Sequence, residues 1–260
     1  MELGLTNKHV LVTGGSGGIG QSIVKLLHHE GAKISLHYNK SKDKAFQIRD
    51  QLNSSKLVLV KGDLEKEADI ERIFQEAINN FGRIDCLVAN AGIWAPEYML
   101  TDMLKLDRWE KTLRINLTGV FLCVREFFRN LQKFQEKTAS VVLVGSTAGM
   151  FGEAGHADYS ATKAALMYGL TKTWKNEIVS YSPLGRVNCV APGWVHTEMA
   201  EDSLKDENLV KSIFQTMPLK KIAQVLDIAS TIVFLLSDKA AGHISGETIM
   251  IHGGMEGRVL

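Results

Sequence analysis

The chain has 260 residues, 45% of them hydrophobic and 23% charged, an ordinary globular composition that excludes a disordered or collagen-like protein. Thirty (30) basic and 29 acidic residues leave a formal net charge of +1, so no global field draws the chain to nucleic acid or to an anionic membrane. Cys86, Cys123 and Cys189 are odd in number, widely spaced and set in apolar runs, which argues for reduced core thiols and against disulfides or a metal site. Met1–Asn7 lacks the features of a signal peptide and the longest apolar runs fall short of a membrane span, so a cytoplasmic protein is expected.

Short apolar, β-branched runs alternate with amphipathic ones along the whole chain. Val10–Thr13 predicts a first strand, and Gln21–Glu30 a helix stopped by Gly31. Strand Lys33–Tyr38, helix Lys42–Asn53, strand Leu57–Lys61, helix Asp69–Phe81 and strand Cys86–Asn90 follow. Then come helix Arg108–Gln132, strand Ser140–Gly145, helix Tyr159–Ser180 and strand Arg186–Ala191. Helix Leu226–Ser237, with Asp227 in its first turn, and strand Thr248–Ile251 close the series. Strands apolar on both faces, alternating with helices, predict an α/β fold: a doubly wound parallel sheet of the Rossmann type with helices on both faces. No linker or repeat divides residues 1–260, so a single domain is expected. The charged, amphipathic segment Ala200–Met217 interrupts the alternation and predicts a helical insertion, covering the substrate over about 194–217.

The loop Thr13-Gly14-Gly15-Ser16-Gly17-Gly18-Ile19-Gly20 follows the first strand and opens the first helix. Gly14, Gly18 and Gly20 let the backbone turn tightly and approach a pyrophosphate, and the helix N-terminus favours the anion. A tight turn alone would use glycine too, but the placement after an apolar strand favours a dinucleotide. Ser16 and Ile19 belong to the same loop. The second strand runs out at Tyr38-Asn39-Lys40-Ser41, where a dinucleotide fold that prefers NAD carries an acidic residue. None is present before Asp43, so NADP(H) is expected as the preferred cofactor, with NAD possible; the bland alternative is that Lys40 and Lys42 only solvate a helix start.

Tyr159 and Lys163 lie four residues apart at a helix start, so phenol and ammonium share one face. An isolated tyrosine holds its proton to about pH 10. A neighbouring cation favours the phenolate and makes the group a usable acid for reduction or base for oxidation. Tyr-x3-Lys is common by itself. Ser146, just beyond the strand Ser140–Gly145, adds a hydroxyl at the sheet edge where open α/β folds bind ligands, although a serine there could equally be a turn or cap.

These motifs, in this order and over nearly the whole chain, resemble the single-domain short-chain dehydrogenases/reductases. The resemblance also takes in Asp63, Asn90-Ala91-Gly92, Asn116 in Arg114–Gly119, Pro192-Gly193-x3-Thr197, Ser245-Gly246-Glu247 and His252-Gly253-Gly254. It implies a catalytic tetrad of Asn116, Ser146, Tyr159 and Lys163. In it Lys163 also binds the nicotinamide ribose and Asn116 holds a water that relays protons. It further implies that Asp63 and Leu64 contact adenine, that Asn90, Ala91 and Gly92 pack beneath the adenosine ribose, and that Pro192, Gly193, Val195 and Thr197 hold the carboxamide end.

Within the family the pattern is most similar to 3-oxoacyl-carrier-protein reductases and to carbonyl and sugar reductases. The expected function is NADPH-dependent reduction of a ketone such as a 3-oxoacyl thioester or a small carbonyl compound. The alternatives are an NAD(P)-dependent sugar, alcohol or steroid dehydrogenase working oxidatively, and a nucleotide-sensing regulator without turnover. Carrier-protein docking through Arg125, Arg129 and Lys133 is doubtful, because Asn176 stands where an arginine is usual. Trp94, Met150, His156, Trp194 and Met199 are expected to face a small-molecule substrate, with Phe151 and Glu153 beside them. A homotetramer built on the two long helices is implied, and the tail Met255–Leu260 could reach a neighbouring subunit. No metal, nucleic acid or membrane is expected.

Overall fold

Buried strands must be apolar on both faces, and here they form one sheet of seven. β1 (His9–Val12), β2 (Lys33–Tyr38), β3 (Leu57–Lys61), β4 (Cys86–Ala89), β5 (Ser140–Val144), β6 (Arg186–Pro192) and β7 (Thr248–Ile251) pair in the order β3-β2-β1-β4-β5-β6-β7. All pairings are parallel. The computed structural model describes residues 2–257; Arg258–Leu260, part of the tail expected to reach a neighbour, lie outside the described residues. Alternate residues feed opposite faces. Leu11 and Leu87 join a core with Ile70, Phe74, Phe127 and Trp174, whereas Val10, Val12 and Val88 join one with Ile23, Leu27, Ile228 and Ile232.

The helices supply those layers. They are α1 (Gly18–His29), α2 (Lys42–Leu52), α3 (Glu67–Phe81) and a long α4 that runs Leu106–Leu113, Arg114–Gly119 and Val120–Lys133. After β5 come α5 (Thr147–Phe151) and a long α6 that runs Ala157–Ala164, Ala165–Leu170 and Thr171–Glu177. The middle segments of α4 and α6 are π-helical, a geometry common at functional sites. α7 (Glu201–Leu204), α8 (Glu207–Thr216), α9 (Val225–Leu236) and α10 (Asp238–Ala241) complete the set.

Strand order reverses between β1 and β4, which opens a crevice at the carboxyl ends of the strands. The expected insertion is two short helices, α7 and α8, the second capped by Asp206 accepting from the N–H groups of Asn208 and Leu209. It carries its own small core, in which Ile213, Met217, Ile222 and Met255 pack with Trp194 and Phe151. Its ends are fastened together by His196 N–H to Ala223 O (2.9 Å) and Ala223 N–H to Trp194 O (3.1 Å). Several elements differ from the sequence expectation, among them the unpredicted helix Asp238–Ala241. α1 begins at Gly18, inside the glycine loop, and Thr147–Phe151 is a helix in a stretch to which the sequence assigned no element. Among the described residues no helix is long and apolar enough to cross a membrane.

Candidate active site

The glycine loop is shaped by contacts that a side chain would break. Gly14 has φ +62°, and a Cβ there would lie 3.0 Å from Ala91 Cα; a Cβ on Gly20 would lie 2.1 Å from Gly14 O. Around this turn, Thr13 leaves β1 because its hydroxyl accepts the N–H groups of Asn90 (3.0 Å) and Ala91 (3.1 Å). The Asn90 amide donates back to the carbonyls of Thr13 and Gly14. His37 fixes the far side. Gly14 N–H donates to its Nδ1 at 3.0 Å, so Nε2 bears the proton and donates to Gly62 O at 3.1 Å. Burial pushes His37 down to about 4, which keeps the ring neutral for this task.

From this loop a cavity of about 920 Å³ extends along the sheet edge, ample for a dinucleotide and a small substrate. Gly14, Ser16, Gly18, Ile19, Gly20, Tyr38, Asn39, Lys40, Ser41, Asp63, Leu64, Asn90, Ala91 and Gly92 all line it. The opening turn of α1 lines it as well, and its first N–H groups have no partner within the helix. This cradle suits a pyrophosphate. At the β2 end Lys40 lines the cavity, but Lys42 does not; its ammonium sits 5.4 Å from the Phe46 ring centre. Asp63 Oδ1 accepts Glu65 N–H at 3.1 Å, and its own N–H donates to Asp69.

Ser146, Tyr159 and Lys163 line the same cavity, together with Pro192, Gly193, Val195 and Thr197. Lys163 is 4% exposed, and its ammonium donates to Val144 O at 2.7 Å and lies 5.5 Å from the Tyr159 ring centre. Burial pulls it from 10.5 down to about 8, so it remains a cation at pH 7. Ser146 is both cap and candidate donor. Its oxygen accepts Ala148 N–H at 3.1 Å to start α5, which leaves its O–H proton available to a ligand oxygen. α5 packs so closely on α6 that a Cβ on Gly149 would lie 2.7 Å from Ala164 N.

Asn116 is fully buried in the π-helical segment of α4, and its side chain is spent on one residue. Oδ1 accepts Ile93 N–H and Nδ2 donates to Ile93 O, both at 2.8 Å. A Cβ on Gly92 would lie 3.2 Å from that Oδ1 and 3.6 Å from Lys163 Nζ, so Gly92 lets the β4 loop reach both groups.

The substrate wall differs in part from the sequence reading. Trp94, Trp194 and Met199 line the cavity; Met150 and His156 do not. His156 is buried in the loop itself: Nε2 meets Ala95 O at 2.9 Å, Nδ1 meets Ala154 O at 3.2 Å, and the ring stacks on Trp94 at 4.9 Å. With both nitrogens facing carbonyls, it supports Trp94 and offers a substrate oxygen nothing. Met150 points outward, about half exposed. Sequence reasoning missed Arg108, Lys111, Thr112 and Ile115, which line the cavity from α4. Among the described residues no group of three or more His, Cys, Asp or Glu side chains could hold a metal ion. The three thiols are buried and pushed up to about 12, hence unreactive.

Residues 8–208 match the family model of the short chain dehydrogenases. The chain is a short-chain dehydrogenase/reductase. It is 35% identical over 254 residues to a 3-oxoacyl-[acyl-carrier-protein] reductase of Staphylococcus epidermidis, covering 96% of this chain and 99% of that one. A 3-oxoacyl-[acyl-carrier-protein] reductase of Synechocystis sp. is also 35% identical, over 96% and 98% of the two chains. Among solved structures, a short-chain dehydrogenase/reductase of Brucella melitensis described as a glucose/ribitol dehydrogenase superposes with a TM-score of 0.88 at 30% identity, over 98% of both chains. A mutant of a Serratia marcescens short-chain dehydrogenase/reductase superposes at 0.86 with 32% identity, over 96% of this chain and 98% of that one. As a short-chain dehydrogenase/reductase, the chain is an NAD(P)-dependent oxidoreductase acting on C=O and CH–OH groups.

Proposed function

We propose that this short-chain dehydrogenase/reductase reduces a small ketone with NADPH, with Tyr159 donating the proton. The observation that carries this reading is the buried Lys163 ammonium beside the Tyr159 ring, in the cavity that begins at the glycine loop. When bound, the reduced nicotinamide supplies the hydride to the carbonyl carbon. Ser146 donates a hydrogen bond that orients the carbonyl oxygen. Tyr159 gives that oxygen its proton, helped by the adjacent cation. Lys163 also holds the nicotinamide ribose, and Asn116 holds the water that returns a proton. Pro192, Gly193, Val195 and Thr197 hold the carboxamide, Asp63 and Leu64 the adenine.

NADPH is preferred because Asn39, Lys40 and Ser41 border the cavity beyond β2 without a carboxylate among them. The expected result is a higher kcat/KM with NADPH than with NADH; a clear NADH preference would overturn this part of the reading. The same residues run in reverse for alcohol or sugar oxidation, so direction follows substrate and cofactor ratio.

A free small molecule suits the site better than a carrier-bound thioester. Arg125 already pairs with Glu67 at 2.7 Å and Glu126 at 2.9 Å, and Arg129 pairs with Glu126 at 2.7 Å. Lys175 donates to Asn176 Oδ1 at 2.7 Å. An acidic carrier would have to displace these partners. Phe121 on α4 and Tyr168 on α6 are exposed, which supports assembly of a homotetramer through those helices. Light scattering should give four times the chain mass of 28.7 kDa, and a monomer at micromolar concentration would contradict it.

A further inference from the structure

We infer that Asp158, Arg108 and Thr112 form a clamp that positions Tyr159 by tying its helix to both loops walling the substrate end of the cavity. The inference rests on Tyr159 being the proton donor. Asp158 immediately precedes that tyrosine, and it is 1% exposed although it carries a carboxylate. Such a group stays buried only when paired and hydrogen-bonded. Here its Oδ2 accepts the Thr112 hydroxyl at 2.7 Å and Arg108 Nε at 3.2 Å, while Oδ1 faces Arg108 Nη2 at 3.4 Å. The N–H of Tyr159 also donates to this carboxylate. Burial would raise the Asp158 carboxyl, but the bonds from Thr112, Arg108 and Tyr159 hold it below its ordinary value, so it is an anion.

Arg108 carries the clamp outward. Its Nη1 donates to Glu97 O at 2.7 Å and its Nη2 to Gly155 O at 3.3 Å. Met99 N–H donates to the same Gly155 carbonyl at 3.2 Å. One guanidinium thus joins the β4 loop that carries Trp94, the loop before α6, and the first turn of α6 itself. First turns of helices fray when left alone. Tyr159 sits in this one, and an error of about 1 Å in a reacting group can lower a rate by roughly a hundredfold. A buried ion pair adds little net stability over an apolar packing of the same volume. The placement of Arg108 and Asp158 is therefore accounted for by geometry at Tyr159 and not by stability. They are positioning residues, since they act through Tyr159 and do not themselves touch the reacting oxygen.

The test compares four variants of the full chain with NADPH and one reducible ketone. Asp158→Ala should lower kcat by roughly ten- to a hundredfold while the dissociation constant for NADPH stays within about twofold. Asp158→Asn keeps an oxygen for Thr112 and for Tyr159 N–H, and should recover most of the lost kcat. The double variant Arg108→Leu/Asp158→Leu leaves no charge unpaired; its melting temperature should return toward that of the parent while kcat stays low. Parent-like kcat in folded Asp158→Ala, or recovery of kcat together with melting temperature in the double variant, overturns the clamp. Tyr159→Phe separates the two ideas. If it is inactive and Asp158→Ala is not, only the clamp fails; if it turns over at the parent rate, the proton-donor reading fails and the clamp with it.

Discussion

Tyr159→Phe should lose activity by about a hundred- to ten-thousandfold while binding NADPH within about twofold of the parent, because general acid catalysis contributes on that scale. The substitution removes one oxygen and its proton and leaves the ring, so the packing around α6 is kept. The phenol is the one acid that the cavity sets beside a buried cation: Lys163 lies 5.5 Å from its ring centre. Ser146 can donate a hydrogen bond, yet its oxygen is engaged in capping α5. Steady-state turnover together with fluorescence titration of NADPH checks both halves of the expectation. Retained turnover would remove Tyr159 from the chemistry, whereas lost NADPH binding would show that the variant had damaged the cleft.

Lys163→Met should also abolish turnover, by about a hundredfold or more, and should change how stability depends on pH. Folded Lys163 titrates near 8 because burial disfavours its ammonium, against 10.5 when unfolded. Below pH 8 both states are protonated and the buried cation costs about 3 kcal/mol. Between 8 and 10.5 the unfolded chain still holds a proton that the folded chain has released, so this group makes the fold more stable as pH rises. Methionine cannot titrate. From pH 7 to 10.5 the nucleotide-free parent should therefore gain about 2–3 kcal/mol of unfolding free energy relative to Lys163→Met, read by urea titration at each pH. Parallel curves would mean that the ammonium is not buried. The lysine is a case in which function is kept at the expense of stability.

Much of this was legible in the sequence, and the reasons differ by element. Strands of a sheet covered on both faces are rich in apolar and β-branched residues, so Leu57–Lys61 and Thr248–Ile251 coincide with strands of the sheet, and so does Lys33–Tyr38 although Ser35 and His37 interrupt it. The glycine loop was legible because backbone that must approach backbone tolerates no Cβ, as at Gly20. α5 was not: five residues show no helical periodicity, and its start depends on whether Ser146 caps it or faces solvent. The π-helical segments of α4 and α6 have no local pattern that distinguishes them from ordinary helix.

Tertiary pairing hid the rest. His37 is a polar residue in a buried strand, and that anomaly was the available signal for its role in bracing Gly14. His156 stands three residues before Tyr159, which suggested a substrate contact, but the loop turns its ring onto Trp94 and two carbonyls. Arg108 and Asp158 are 50 residues apart, so no local spacing could join them.

The most direct test of the account is to follow NADPH oxidation and alcohol formation together, over a panel of β-ketoacyl thioesters, sugars, diketones and steroids. The account predicts that at least one ketone is reduced with one NADPH consumed per alcohol formed, and that Tyr159→Phe and Lys163→Met bind NADPH but do not carry out the reaction. A parent enzyme that reduces that ketone no faster than either variant would contradict it.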